Sequence, residues 1–178
     1  WSNGLTETVA SWTQSADYTG TVTIATLYPQ IAGAAFTNFA VIGDVDLEGG
    51  TWTHPLSLTA GAVSAAQLEA QQKYRLRVTV GGTFTVGSAA SVDVAGKGHK
   101  PNAGSLHPFH GGAYVGARSC YDDVKRPVDI GYGSSYFGGD NDWKLVPGGG
   151  AVSLTVAGAM TVNGKIAADG GARDDAAA

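Results

Sequence analysis

Apolar and polar residues alternate with a period of two over much of the chain, and one alternating segment occurs twice. Residues 78–86 read Val-Thr-Val-Gly-Gly-Thr-Phe-Thr-Val, and residues 154–162 read Leu-Thr-Val-Ala-Gly-Ala-Met-Thr-Val. Each copy runs through a short turn into a second alternating strand. The first continues as Ser91-Val92-Asp93-Val94-Ala95-Gly96; the second, two residues closer, continues as Lys165-Ile166-Ala167-Ala168-Asp169-Gly170. A period of two marks a half-buried β-strand. Repetition of such a unit points to stacked layers rather than a single closed core. A β-sandwich, the competing all-β architecture, also offers many short strands. It does not call for near-identical strand pairs about 76 residues apart.

The pattern extends toward the N-terminus. Phe39 to Leu47 reads as a degenerate copy, with Ile42 matched to Val80, and Val45 and Leu47 matched to Phe84 and Val86. Gly20 to Leu27 is a strand that puts Val22 and Ile24 on one face and hydroxyls on the other, and Pro29 ends it. Residues 63–73 carry the one predicted helix. Ser64 and Gln67 form a capping box, and Val63 and Leu68 sit where a hydrophobic staple would be. At barely three turns it is marginal alone, and it fits as a plug or an excursion between turns of a stack. Residues 74–96 alternate through Leu76, Val78, Val80, Phe84, Val86, Val92 and Val94. Gly-Gly and Gly-Ser break this run into three short strands, with glycine suited to bends at positive φ. One domain, 1–178, is therefore expected: a strand or cap region 1–37, repeat coils 38–96, an insertion 97–148, a repeat coil 149–172 and a tail 173–178.

The insertion differs in kind. Residues 96–150 hold 13 of the 27 Gly, 7 of the 16 aromatics, three of the four His and the single cysteine, Cys120. A stretch of this length without alternation is expected to lie across one face of the stack and to be functional. The two repeat strings, with the Gly- and Tyr-rich stretch around Tyr132-Gly133-Ser134 and with Gly148-Gly149-Gly150 leading into the second copy, resemble the glycine-rich right-handed parallel β-helix regions of large bacterial secreted and surface proteins. The resemblance covers roughly residues 38–172 and leaves 1–37 outside. It implies an all-β fold, a short right-handed parallel β-helix, and a secreted or cell-surface location. Such regions occur in adhesin-like proteins and beside carbohydrate-active domains, and the family brings no invariant catalytic set.

Charge narrows the partners. Charged residues make up 15% of the chain and the net charge is -4, which argues against a nucleic acid or an anionic membrane surface. No apolar run is long enough to span a bilayer. One cysteine excludes an intrachain disulfide framework. The chain begins at Trp1, without an initiator Met, and reads as a processed product or a piece of a longer polypeptide.

Three groups of residues are candidates for chemistry. Tyr132, Tyr136, Phe137 and Trp143 fall among Gly, Ser, Asp140 and Asn141, and Trp52 stands in Gly-Gly-Thr-Trp-Thr-His. Aromatic faces with polar rims recognise sugar rings; the same rings equally suit a local core that anchors the insertion. His107-x-x-His110 and the oxygen-rich Asp140-Asn141-Asp142 are the candidate metal ligands. No cofactor is expected beyond Ca²⁺, since neither string has a full ligand set. Asp122-Asp123-Val124-Lys125-Arg126 offers the residue types of a polysaccharide lyase or glycoside hydrolase, and reads equally as a solvated turn. Asp44, Asp46 and Asp93 are expected on outward strand positions, where a carboxylate ladder would bind Ca²⁺. The favoured expectation is a non-catalytic extracellular module that binds polysaccharide through Trp52, Tyr132, Tyr136, Phe137, Asp140, Asn141 and Trp143. The alternatives are a structural subunit or segment of a surface fibre or adhesin, with end-to-end self-association, and a β-helix lyase or hydrolase.

Overall fold

The computed structural model describes residues 8–27, 37–56, 74–98, 130–131, 134–137 and 143–171, with 134–137 and 143–146 described by their backbone. The predicted helix at 63–73 lies outside these residues. What is described is all-β, and the strands fall into four successive layers. The first holds β1 (Thr8–Val9), β2 (Trp12–Gln14) and β3 (Thr21–Thr23), and β4 (Thr26–Leu27) leads from it directly to the third layer. The second holds β5 (Phe39–Val41) and β6 (Val45–Thr53), and the third β7 (Tyr74–Val80) and β8 (Phe84–Asp93). A separate pair, β9 (Ser134–Phe137) and β10 (Trp143–Val146), precedes the fourth layer of β11 (Val152–Val156), β12 (Met160–Val162) and β13 (Lys165–Ala167).

In each layer the chain passes from one sheet to the other. One sheet runs β1-β5-β7-β11; the other runs β2-β6-β8-β12, with β3 on β6 and β13 on β8. All of these pairings are parallel. Only β4, on the edge of β7, and the β9–β10 pair are antiparallel.

The repeat is realised residue by residue. Val78 faces Leu154, Val80 faces Val156, Phe84 faces Met160, Val86 faces Val162 and Val92 faces Ile166. The two-residue contraction between the copies is real, because Lys165 and Ile166 sit on Ser91 and Val92. Val45 and Leu47 take the places opposite Phe84 and Val86 as expected. The neighbouring match is corrected: Val41, not Ile42, faces Val80, and Ile42 is 68% exposed. Residues 8–27 add a layer of their own, with Val9 on Val41, Trp12 on Val45, Gln14 on Leu47 and Val22 on Trp52.

Each column of inward residues is thus continuous across layers, and burial of these rows supplies the driving force. Aromatic rings fill the centre. Trp52 meets Trp12, Phe39 and Phe84 edge-on at centroid distances of 5.6, 6.1 and 6.0 Å, the offset geometry that ring quadrupoles favour. Gln14 enters the same core as a polar member. It accepts from Trp52 Nε1 at 3.2 Å and donates to the Gly49 carbonyl, so neither buried group is left unpaired.

The corner between the sheets is made by glycine for a reason other than φ. Gly43 N donates to Ala10 O at 2.7 Å, Gly82 N to Gly43 O at 3.0 Å and Gly158 N to Gly82 O at 2.9 Å. These backbones approach so closely that a Cβ on Gly158 would stand 2.7 Å from the Gly82 carbonyl, and one on Gly82 would strike Gly43 and the Asp44 carboxylate. Among the described glycines only Gly50 and Gly96 have positive φ.

Candidate functional site

Trp52 is the first candidate that the structure relocates. It is fully buried, with its indole nitrogen engaged by Gln14, so it is no platform for a sugar ring. The sequence misleads here through one irregularity. A register shift between Leu47 and Gly49 moves the inward parity from odd to even residues. Val45 and Leu47 point into the core before it, Trp52 and His54 after it.

Tyr136 and Phe137 lie on β9, and Trp143 on β10. The antiparallel register sets Trp143 directly across from Phe137 and Lys144 across from Tyr136. Two of the predicted aromatic positions therefore share one rung of a ladder, and Tyr136 sits on the next. Tyr132, Asp140, Asn141 and Asp142 lie outside the described residues, as do His107, His110, Cys120 and the Asp122–Arg126 run.

The roots of the insertion are well defined. The chain leaves the third layer at Lys97–Gly98, passes Ile130–Gly131 and returns through Pro147–Gly150 into β11. Gly98 N donates to Gly148 O at 2.8 Å, Gly131 N to Gly149 O at 2.7 Å, Gly150 N to Val94 O at 2.8 Å and Gly171 N to Pro147 O at 2.8 Å. Four backbone segments thus meet at one place, joined by main-chain hydrogen bonds. A Cβ on Gly149 would overlap the Ala168 carbonyl and one on Gly150 would strike the His54 ring, and this crowding requires glycine at both positions. Ile130 is buried beside the clamp.

The acidic residues on the strands do not form a ladder. Asp46 faces Thr13 in the layer before and Thr85 in the layer after. Asp93 lies in another column, where its Oδ2 is 3.1 Å from Lys165 Nζ. Asp44 is committed to the corner, accepting from Thr83 N at 2.6 Å and Thr83 Oγ1 at 2.9 Å. The Thr83 backbone bond, then its hydroxyl, hold the Asp44 carboxyl below the usual carboxylate range. Burial pushes the Asp93 carboxyl up, but the Ala95 N–H and Lys165 together outweigh it and hold the group low. A hydrogen bond with Asp46, joined by its like charge, raises Glu48. Among the described residues no group of three or more His, Cys, Asp or Glu is placed to hold a metal ion. No helix among them is long and apolar enough to cross a membrane.

His54 is the polar core residue that the alternation does not reveal. It is fully buried, one position past β6. Its Nδ1 is 2.7 Å from the Pro55 carbonyl, and its Nε2 accepts from Ala151 N at 3.3 Å. Burial, foremost, holds the imidazole down to about 4.

Comparison of the chain with protein-family models, with curated proteins and with solved structures finds no match to any of them.

Proposed function

We propose that this chain is a segment of a right-handed parallel β-helix in a bacterial surface or secreted protein of the adhesin-like kind, whose work is to carry and space what its insertion displays. The observation behind this reading is the exposed last layer. Met160, Val162 and Ile166, the inward row above Phe84, Val86 and Val92, are 46%, 44% and 38% exposed. They repeat the apolar surface that the third layer offers to the fourth. The occupant that fits is a further parallel layer of the same alternation, in register. The test is to append a second copy of residues 149–171 to the C-terminus. The expected result is a higher melting temperature and new amide protection along β12 and β13. No gain in either would overturn the reading.

A second reading, polysaccharide binding by the insertion, is favoured by the Phe137–Trp143 rung. A glycan array with the isolated chain, with and without EDTA, decides it. Binding that is lost in Tyr136→Ala and Trp143→Ala supports the aromatic site, and loss in EDTA assigns Ca²⁺ to it. Binding unchanged in both variants removes this site.

A further inference from the structure

The fourth layer hangs on a buried imidazole. A carbonyl oxygen only accepts, so the 2.7 Å contact with Pro55 O puts the proton of neutral His54 on Nδ1. Nε2 is then a bare lone pair, and it is the acceptor for the Ala151 N–H at 3.3 Å. Ala151 is the residue before β11. Its neighbour Gly150 donates to Val94 O at 2.8 Å, and a Cβ on Gly150 would collide with Nε2 of the ring. One side chain thus joins the end of β6, in the second layer, to the glycine clamp from which the fourth layer starts.

A second proton on this ring has no favourable place. Protonated Nε2 is a donor facing another donor, Ala151 N–H, on a side chain with no exposed surface. Among the described residues the charged groups acting on the ring are Lys97, beyond β8, and Arg75, on β7, and both are cationic. The third element packed on it, Gly150–Ala151, contributes backbone only. We propose that His54 is an acid-sensitive pin: neutral, it holds the clamp closed on β11; protonated, it releases residues 150–167 while the first three layers stay stacked. The displacement of its titration to about 4, caused mainly by burial and deepened by Lys97 and Arg75, accords with this geometry. The device goes beyond the scaffold reading, since it concerns when the last layer is held and not what it carries.

Amide exchange, corrected for the intrinsic rate at each pH, tests the pin in the full chain. Between pH 6.5 and 4, protection along β11, β12 and β13 is expected to fall by roughly two orders of magnitude. β6 and β8 open only with the whole stack, so their protection is expected to stay above that of β11, β12 and β13 at both pH values. His54→Gln, which does not titrate, is expected to lose the fall. Should that variant not fold, the wild-type imidazole is followed by NMR: its protonation must coincide with loss of the Ala151 amide signal. All layers opening together, His54→Gln keeping the wild-type profile, or an imidazole that titrates with Ala151 undisturbed would each overturn the proposal.

Discussion

At the scale of single residues, two positions concentrate the energetics. Trp52 makes three edge-on ring contacts and a hydrogen bond with no exposed surface. Trp52→Ala is expected to cost about 4 kcal/mol in chemical denaturation, the cost of a large core cavity, and to leave any glycan binding by the insertion untouched. Ile42, its apolar near-neighbour in sequence, is exposed, so Ile42→Ser is expected to change stability by no more than about 0.5 kcal/mol. His54 makes stability depend on pH with a definite sign. Its folded value, about 4, lies below the unfolded 6.5, so the unfolded chain binds more protons in between. Stability therefore rises with pH across that window, and about 3 kcal/mol of it is absent below the lower value. Denaturant melts of wild type and His54→Gln at pH 4 and pH 7 would show the difference.

At the scale of elements, the third and fourth layers were readable from the sequence because their two strings differ mainly by conservative apolar exchange. Val78 with Leu154 and Phe84 with Met160 are pairs that alternation alone aligns. The second layer was readable except at one step. Val41 and Ile42 are adjacent β-branched residues, and alternation does not choose between them. The corner does choose, since Gly43 must stack on Gly82 as Gly158 does, and that signal was present in the sequence. Of the first layer, the strand from Gly20 was legible, with Val22 and Ile24 buried as its alternation requires; residues 8–14 escaped because Gln14 stands where the period requires an apolar residue. The candidate site was legible only as a cluster of residue types. Trp52, flanked by threonines, looks like a surface position until the register shift at Leu47 and Gly49 is known. The hairpin that pairs Phe137 with Trp143 has no matching period, because its strands are four residues each. The clamp gives the most severe element-level prediction. Gly149→Ala forces a methyl onto the Ala168 carbonyl, which cannot rotate aside as a side chain would. A loss of roughly 3 kcal/mol is expected, with β11–β13 losing amide protection first.

At the scale of the whole molecule, the two ends differ. In the first layer Ile24, Gln14 and Val22 are buried, whereas Met160, Val162 and Ile166 in the last are exposed. Free strand edges beside apolar rows invite pairing with another chain. Concentration-dependent association through the C-terminal layer is therefore expected in sedimentation experiments. Val162→Asp combined with Ile166→Asp should abolish it, and a wild-type chain that stays monomeric at all concentrations would refute it. Salt should matter little to this association, since the described residues of β11–β13 carry one charge, Lys165, which is paired with Asp93.

The glycine clamp has one more consequence, for how such a molecule diversifies. Because the insertion leaves, touches down at Ile130–Gly131 and re-enters at a single backbone junction, the junction fixes the separation of these stems and not the lengths of chain between them. Closing a longer loop is inexpensive: each doubling adds about 0.6 kcal/mol of entropy. The junction therefore behaves as a socket. Unrelated sequences of very different size can be exchanged there while β7, β8, β11, β12 and β13 keep their register, and variation across generations is expected to collect in the insert and spare the four segments that hold it.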